Sequence, residues 1–351
     1  MKKKNLVFIT LCCLIALVLN GCTAKPNNEQ GNQNNIVNPQ PNDEQGKENN
    51  VYTTNLTKVS TIIQDNVSED VITAAKTVIN SFLQYEKNAK ITVSGNTQRF
   101  INDMAYVIHC TCPLFDAFTD FNEMTAYDKK TGNVTWNYFI DKDEFNDKLQ
   151  SFYDTSNKYL SKVNKTDSEA MKAILLYYAI IDDLNYDYDL IGNNYNQLSQ
   201  EEANMKSSPY YVLTSKSGIC TNIAQAYMYL CTQVNIDCGT VLHTGGSGMH
   251  MWNIIKIDNK YYYCDPTWDA NASLKHFGLT ASDRASWAGG YSNDEGSMLS
   301  TIIPNKYEIS DSRFETMRSK LPIEISDVKA DKDTQTIKFL GYEYEYNFEC
   351  K

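Results

Sequence analysis

The sequence lacks the excess of positive charge on which nucleic-acid binding depends. Its 351 residues include 32 lysines and arginines against 43 aspartates and glutamates, which gives a formal net charge of -11. Proteins bind phosphate backbones mainly through local basic patches, and no such patch offsets the acidic balance. Nucleic acid is therefore not an expected partner.

The chain also lacks an apolar run of the length that spans a bilayer. The run from Leu6 to Leu19 has 14 residues, whereas a transmembrane helix needs ~20. Three lysines precede this run, and small residues follow it, which is typical of a secretion signal. We predict that residues 1–21 are a signal peptide and are removed.

The residues at the end of this signal carry a lipidation pattern. Leu19-Asn20-Gly21-Cys22 resembles the bacterial lipobox, which implies cleavage before Cys22 and lipid attachment to its sulfur. Acyl chains contribute ~0.8 kcal/mol per buried CH₂, so two or three chains would hold the protein on the membrane. The expected location is the extracytoplasmic face of a bacterial cell membrane. The alternative is an ordinary cleaved signal with an incidental cysteine.

Residues 22–55 are rich in asparagine and proline, and we expect a flexible tether there because such a composition cannot bury enough apolar surface. The remainder divides into a mixed α/β region, 56–165, and a second domain, 166–351. The pattern predicts helices at Asp70–Tyr85 and Lys142–Val163, strands at Ile91–Val93, Met124–Tyr127 and Val134–Phe139, an N-cap at Asp167, and a strand pair around Gly341 within Thr336–Phe348.

No metal-binding signature is present. The chain has no calcium-loop pattern. His109, Cys110 and Cys112 are soft ligands, but zinc pairs usually have two or more intervening residues and a second pair elsewhere. We expect no metal and no cofactor. Seven cysteines remain after the signal and Cys22, an odd number that leaves at least one thiol unpaired in the monomer: Cys110, Cys112, Cys220, Cys231, Cys238, Cys264 and Cys350.

Cys220 is predicted to begin a helix. Apolar residues at Ile223, Tyr227, Leu230 and Val234 follow it with the spacing of one helix face. Unpaired backbone N–H groups at a helix start stabilise a thiolate, so Cys220 is a candidate nucleophile. A buried, inert cysteine is the alternative.

A hairpin is predicted downstream, with Asp258-Asn259 as a two-residue turn. In that register Trp252 faces Asp265, and His250 becomes the diagonal neighbour of Asp265 on the same face, within reach of a hydrogen bond. A three-residue loop would place the two side chains on opposite faces. Together with Cys220 they would supply a nucleophile, a base and an orienting carboxylate.

Three blocks of sequence are similar to the signatures of the transglutaminase-like superfamily: Gly218-Ile219-Cys220, His250-Met251-Trp252-Asn253 and Asp265-Pro266-Thr267-Trp268-Asp269. The similarity covers about 170–282. It implies an α+β, papain-like fold in which the cysteine helix packs on an antiparallel sheet. It also implies that Cys220, His250 and Asp265 are the catalytic residues. Asn222 departs from the glycine, and Met251 from the alanine, that many members have there.

The resemblance implies a thiol enzyme that acts on peptide or protein amides through a thioester, as a peptidase, an amidase or a transglutaminase, and the lipobox places this enzyme at the cell surface. The alternative is a degenerate module that binds cell-wall peptide or protein in the same cleft. Tyr211 is a candidate oxyanion donor, or else a core tyrosine. Trp252 and Trp268 could line the cleft or belong to the core, and Asn253 is expected to bond to backbone beneath the site.

Overall fold

A computed structural model describes most of the chain after residue 49. The predicted signal peptide, Cys22 and residues 22–49 of the predicted tether lie outside the described residues, as do Gly341 and Phe348. Within the described part, no helix is both long and apolar enough to cross a membrane. The described residues are 50–122, 126–191, 194–245, 248–270, 273–287, 307–321, 325, 327–340 and 344–347.

The first part of the fold combines helices with a small antiparallel sheet. The helices are α1 (Thr61–Gln64), α2 (Glu69–Leu83), α3 (Thr97–Thr111), α4 (Pro113–Phe118) and α5 (Lys142–Leu160). The strands are β1 (Asn88–Lys90), β2 (Tyr127–Asp128) and β3 (Asn133–Thr135), in the order β1-β3-β2. The two predicted long helices are confirmed as α2 and α5, within a few residues at their ends.

The predicted strand at Ile91–Val93 is wrong. The strand lies at 88–90, because Lys90 pairs with Asn133, the first residue of β3, and β3 offers no partner beyond it. Ile91 is nevertheless buried, and its backbone N–H donates to Gly132 O at 2.9 Å. The apolar character of this segment therefore reflects burial rather than strand pairing.

The second part of the fold holds the sheet and helix that concern the site. The helices are α6 (Glu169–Ile181), α7 (Gln200–Ser207), α8 (Pro209–Ser215), α9 (Cys220–Gln233), α10 (Ala281–Trp287) and α11 (Glu315–Lys320). The strands are β4 (Asn185–Tyr186), β5 (Ser217–Gly218), β6 (Cys238–Gly245), β7 (Gly248–Ile257), β8 (Lys260–Cys264), β9 (Asp327–Asp331), β10 (Thr336–Leu340) and β11 (Tyr344–Asn347).

Helix α9 packs on an antiparallel sheet of order β6-β7-β8. Ala224 of α9 lies in one buried cluster with Leu242 of β6 and Met251 of β7. Asn253 of β7 donates hydrogen bonds to Ala224 O at 2.8 Å and to Gly239 O at 3.2 Å, so its predicted role beneath the site is confirmed. The architecture is α+β, with the cysteine helix on an antiparallel sheet, as predicted.

The predicted hairpin register is confirmed. Ile257 pairs with Lys260, and Asn253 pairs with Cys264. Both turn residues adopt positive φ angles, 49° at Asp258 and 64° at Asn259. Positive φ at both central residues is what a two-residue type I′ turn requires. The turn therefore fixes which side chains of β7 and β8 share a face.

The N-cap of α6 differs from the prediction. Ser168 caps the helix, and its hydroxyl accepts a hydrogen bond from Met171 N at 3.2 Å. Asp167 instead accepts from Asn164 N at 2.7 Å and lies 3.5 Å from Lys332 Nζ. The carboxylate is thus occupied by the preceding turn and by a distant lysine, which spacing alone does not indicate.

The core is continuous across the predicted boundary at 165. A single cluster of buried apolar side chains extends from Tyr52 to Phe339. Phe152 of α5 packs against Tyr229 of α9 at 5.8 Å between ring centroids. Tyr52, near the end of the predicted tether, is only 7% exposed. Burial of its ring therefore packs this end of the tether on the fold. The predicted C-terminal strand pair is confirmed by the antiparallel pairing of β10 with β11.

Gly278 provides a test of the packing between the segment after β8 and Phe314, the residue that precedes α11. Its φ is +66°, and a Cβ there would overlap the Phe314 ring. Gly95 is a matched control, because its φ is +67° with open space around the Cβ position. Gly95→Ala should lower the free energy of unfolding by about 1–2 kcal/mol, through backbone strain alone. Gly278→Ala should cost about 1–3 kcal/mol more, through overpacking. Urea denaturation measures both, and equal costs would contradict the packing.

Candidate active site

The start of α9 fixes the position of Cys220. Gly218 of β5 pairs with Tyr186 of the parallel strand β4, and Cys220 follows as the first residue of the helix. The Asn222 side chain is fully buried and accepts a hydrogen bond from Ile219 N at 2.8 Å. Its Nδ2 donates to Lys206 O at 2.7 Å. Asn222, where many members of the superfamily have glycine, therefore stabilises the turn that precedes Cys220.

Gly218 must lack a side chain because the Asn222 carboxamide occupies the space beside it. A Cβ at this position would lie 2.7 Å from Asn222 Oδ1 and 2.7 Å from Val212 Cγ2. Both distances are far shorter than any ordinary contact. The first signature block thus combines a glycine that admits the Asn222 carboxamide with a cysteine that the carboxamide helps to place.

His250 and Asp265 are in direct contact. His250 Nε2 lies 2.7 Å from Asp265 Oδ2, and the two residues are 6% and 0% exposed. His250 is on β7, and Asp265 follows the last residue of β8. The Asp265 backbone N–H also donates to His276 O at 3.0 Å. The same-face arrangement expected from the hairpin register is therefore present in the structure.

Cys220 interacts with the same histidine. The residue is 8% exposed, and its thiol is hydrogen-bonded to the His250 ring. Burial alone would lower the pKa of His250, but its hydrogen bonds to Asp265 and Cys220 and their negative charges raise this pKa to about 9. Both hydrogen bonds therefore favour the protonated form of the ring. A protonated imidazole can stabilise a neighbouring thiolate and can donate a proton to a leaving group.

Two tryptophans pack against the His250 ring. Trp268 stacks on it at 5.1 Å between centroids with an interplanar angle of 14°, and this indole is partly exposed. Trp252 lies 6.0 Å away but is only 1% exposed. The Trp252 indole therefore supports His250 from the core, and its place in a substrate cleft stays a prediction. Trp268 keeps the exposure that a cleft wall requires.

Tyr211 lies near the strand that leads to Cys220. Its hydroxyl donates to Asp187 Oδ2 at 3.3 Å, and the Asp187 backbone N–H donates to Gly218 O at 2.8 Å. The ring also faces Lys206 Nζ at 6.0 Å. Tyr211 thus belongs to a polar arrangement that borders β5. Its role as an oxyanion donor stays a prediction.

The sequence reasoning missed Arg284. This residue of α10 is fully buried, and its guanidinium Nη2 lies 3.5 Å from Asp265 Oδ2. The guanidinium carbon lies 4.2 Å from the Trp252 ring centroid and 4.4 Å from that of Trp268. Arg284 stands just beyond the segment that resembles the superfamily, so neither motif nor spacing pointed to it.

A second histidine–aspartate contact anchors the end of the third block. Asp269 accepts hydrogen bonds from the Tyr177 hydroxyl at 2.6 Å and from the His276 backbone N–H at 2.9 Å. His276 Nδ1 also lies 2.8 Å from the same carboxylate. Burial raises the pKa of Asp269, and these hydrogen bonds oppose the rise. The network holds the segment that carries Asp265 and Trp268 against α6.

The cysteines of the described chain all have free thiols. None of the six described cysteines takes part in a disulfide, and all six are buried. Within the described ranges, no three His, Cys, Asp or Glu side chains are grouped so as to hold a metal ion. The six are Cys110, Cys112, Cys220, Cys231, Cys238 and Cys264.

One family model matches the part of the chain that holds this site. Residues 155–266, which include Cys220, His250 and Asp265, match the model of the Transglutaminase-like superfamily. No curated protein matches the chain.

Two solved structures are similar to part of the chain. One, described as a candidate cysteine protease from Cytophaga hutchinsonii, is 16% identical, with a TM-score of 0.25, over 37% of this chain and 43% of that one. The other is described as a TGase and is 12% identical, with a TM-score of 0.29, over 53% of this chain and 49% of that one. The match thus spans less than half the length of each neighbour.

Alkylation of Cys220 tests the geometry of the site without a substrate. An ordinary thiol, with a pKa of about 8.5, is almost entirely protonated at pH 6 and reacts slowly with iodoacetamide. Cys220 should react at pH 6 and hold a plateau up to about pH 9, where His250 loses its proton. His250→Ala should abolish the plateau and slow the reaction at pH 6 by about tenfold or more.

Peptide mapping by mass spectrometry assigns the alkylated residue, and Cys220→Ala gives the background from the other thiols. The same single titration in the parent chain and in His250→Ala would contradict the interaction between sulfur and ring.

Proposed function

We propose that the protein is a thiol enzyme that acts on peptide or protein amides, and the match of residues 155–266 to the Transglutaminase-like superfamily supports this. The observation that carries the proposal is that the His250 ring is hydrogen-bonded both to the buried Asp265 carboxylate and to Cys220, the first residue of α9. These contacts favour a protonated imidazole beside the sulfur. These three groups are what acyl transfer through a thioester needs.

In the proposed reaction, the Cys220 thiolate attacks the carbonyl carbon of the amide. His250 Nε2 is hydrogen-bonded to Asp265, so Nδ1 is the ring nitrogen that interacts with the sulfur and donates to the departing amine. The protonated ring donates its proton to this amine as the C–N bond breaks, and an acyl thioester remains on Cys220.

The second half of the proposed reaction resolves the thioester. Water or a primary amine attacks the thioester carbonyl, and neutral His250 accepts the proton that the nucleophile loses. The C–S bond then breaks and returns the thiolate. Water gives hydrolysis, whereas an amine gives a new amide. The acceptor that the cleft admits therefore decides between peptidase or amidase activity and transglutaminase activity.

Negative charge on the carbonyl oxygen would be stabilised at the start of α9. The Cys220 backbone N–H lies at the N-terminus of this helix, where unpaired donors and the helix dipole favour an anion. We propose it as one oxyanion donor and Tyr211 as a candidate for the second. The low exposure of Cys220 and His250, 8% and 6%, supports this chemistry because exclusion of water strengthens such interactions.

The reaction class can be tested with a glutamine-containing peptide and a labelled primary amine, incubated with the purified chain. A labelled adduct indicates transfer, and a shortened or deamidated peptide indicates hydrolysis. Cys220→Ala should reduce either product by about 1,000-fold or more, because no other group forms the thioester. Binding of peptide by both proteins, with no product from a panel of peptides, would favour the degenerate binding module instead.

We also propose that the mature protein is held on the extracytoplasmic face of the membrane by lipid on Cys22. The support is the lipobox-like sequence that ends at this residue. Cys22→Ser should abolish incorporation of a labelled fatty acid and move the protein from the detergent phase to the aqueous phase in Triton X-114 partitioning. Cys12→Ser is the matched control, because Cys12 lies within the predicted signal and should leave lipidation unchanged. Labelled lipid on the Cys22→Ser protein would contradict the proposal.

A further inference from the structure

The Asp265 carboxylate has more than one cationic neighbour. His250 Nε2 lies 2.7 Å from its Oδ2, and Arg284 Nη2 lies 3.5 Å from the same oxygen. The Trp268 backbone N–H donates to the other oxygen, Oδ1, at 3.4 Å. Tyr177 of α6, whose hydroxyl donates to Asp269, also interacts electrostatically with Asp265. Both carboxylate oxygens are thereby constrained, and Arg284 provides a second cation at the oxygen that holds the imidazole.

The charges of the site balance only when Arg284 is counted. Asp265 and Arg284 are both fully buried, and a buried ion is strongly disfavoured unless an opposite charge compensates it. In the thiolate–imidazolium state, Cys220 and Asp265 are negative, and His250 and Arg284 are positive. In the neutral state of the Cys220–His250 pair, Asp265 and Arg284 cancel. Without Arg284, either state would leave one uncompensated negative charge away from water.

Arg284 is held in place by the two indoles of the site. Its guanidinium carbon lies 4.2 Å from the Trp252 ring centroid and 4.4 Å from that of Trp268. A flat, weakly hydrated guanidinium suits such stacking, whereas the compact ammonium of lysine does not. Trp268 and Trp252 also stack on His250, at 5.1 and 6.0 Å between ring centroids. Each indole therefore contacts both cations that flank the carboxylate.

The helix that carries Arg284 is anchored independently of the site. Thr280 and Asp283 exchange hydrogen bonds at the start of α10, at 3.1 and 2.9 Å. Arg318 of α11 lies 2.6 Å from the Asp283 carboxylate and also donates to Gly278 O. These bonds fix α10 against the chain that leaves β8. The position of Arg284 is therefore set by the fold and does not require a bound substrate.

We propose that Arg284 is a positioning residue for the reaction, which compensates the charge of Asp265 and holds its carboxylate toward His250. The inference rests on the proposed function, because it assigns a task within the same site. Arg284 touches neither the sulfur nor the acyl group in this scheme. It acts through Asp265, and its removal should alter the pH range in which the cysteine and the histidine work together.

The test uses the purified chain and follows alkylation of Cys220 by iodoacetamide between pH 4 and pH 10. In Arg284→Met the carboxylate loses its counter-charge, so its ionised form is less favoured. The loss of rate on acidification should therefore begin at a higher pH than in the parent chain, and the rate at pH 6 should fall by about tenfold or more. In Arg284→Lys the charge is retained, so the pH at which the rate begins to fall on acidification (the acid limb of the profile) should stay nearer to that of the parent chain.

A matched control separates this role from a general loss of stability. Arg313 also pairs with an aspartate, Asp258, at 2.6 Å, and it stacks on Phe314 at 4.7 Å. This ion pair lies at the hairpin turn that contains Asp258, so Arg313→Met should leave the pH profile of Cys220 unchanged. Far-UV circular dichroism and thermal unfolding establish that each variant is folded. If Arg284→Met does not fold, Arg284→Gln takes its place, because it also removes the charge but keeps a polar side chain, and an unchanged rate and profile in that variant would overturn the proposal.

A double-variant cycle with Asp265→Asn decides whether Arg284 acts through the carboxylate. If it does, Arg284→Met should reduce the rate in the parent chain and have little further effect in Asp265→Asn. Equal effects in the two backgrounds, or an acid limb that does not move, would overturn the inference. If Cys220 of the parent chain already behaves as an ordinary thiol, the proposed function fails instead. An activated Cys220 with an unaltered profile in Arg284→Met refutes only the role of Arg284.

Discussion

The buried carboxylate of Asp265 is the constraint on which the site depends. A carboxylate with no exposure to solvent requires partners for its charge and for its oxygens, and here His250, Arg284 and the Trp268 backbone meet those needs. Each partner comes from a different part of the chain: a strand, a helix and the loop after β8. The requirement to satisfy one carboxylate thereby ties the hairpin, α10 and the loop into a single arrangement.

The parts of this arrangement that sequence could predict are those set by local signals. Asp258-Asn259 determines the turn, the turn determines the register, and the register puts His250 on the same face as Asp265. The helix that begins at Cys220 follows from its apolar spacing. Local geometry propagates with little ambiguity along a hairpin or a helix, which explains why these elements agree with the structure.

The parts that could not be predicted depend on distant contacts. Asp167 and Ser168 are both good capping residues, and a contact with Lys332 is among those that occupy Asp167. Trp252 follows an alternating strand pattern, but only the tertiary packing buries its indole beneath His250. Arg284 reaches Asp265 because α11 anchors α10. No spacing in the sequence encodes such docking, and a lone arginine usually indicates a solvated surface.

The state of the cysteines has a practical consequence for handling the protein. All six described cysteines are reduced and buried, so the packing of the described core owes nothing to covalent cross-links between them. Dithiothreitol, which protects a reactive sulfur from oxidation, would therefore break no disulfide bond in the described part of the molecule. Preparations can therefore be kept fully reduced throughout purification without weakening the scaffold that supports Cys220.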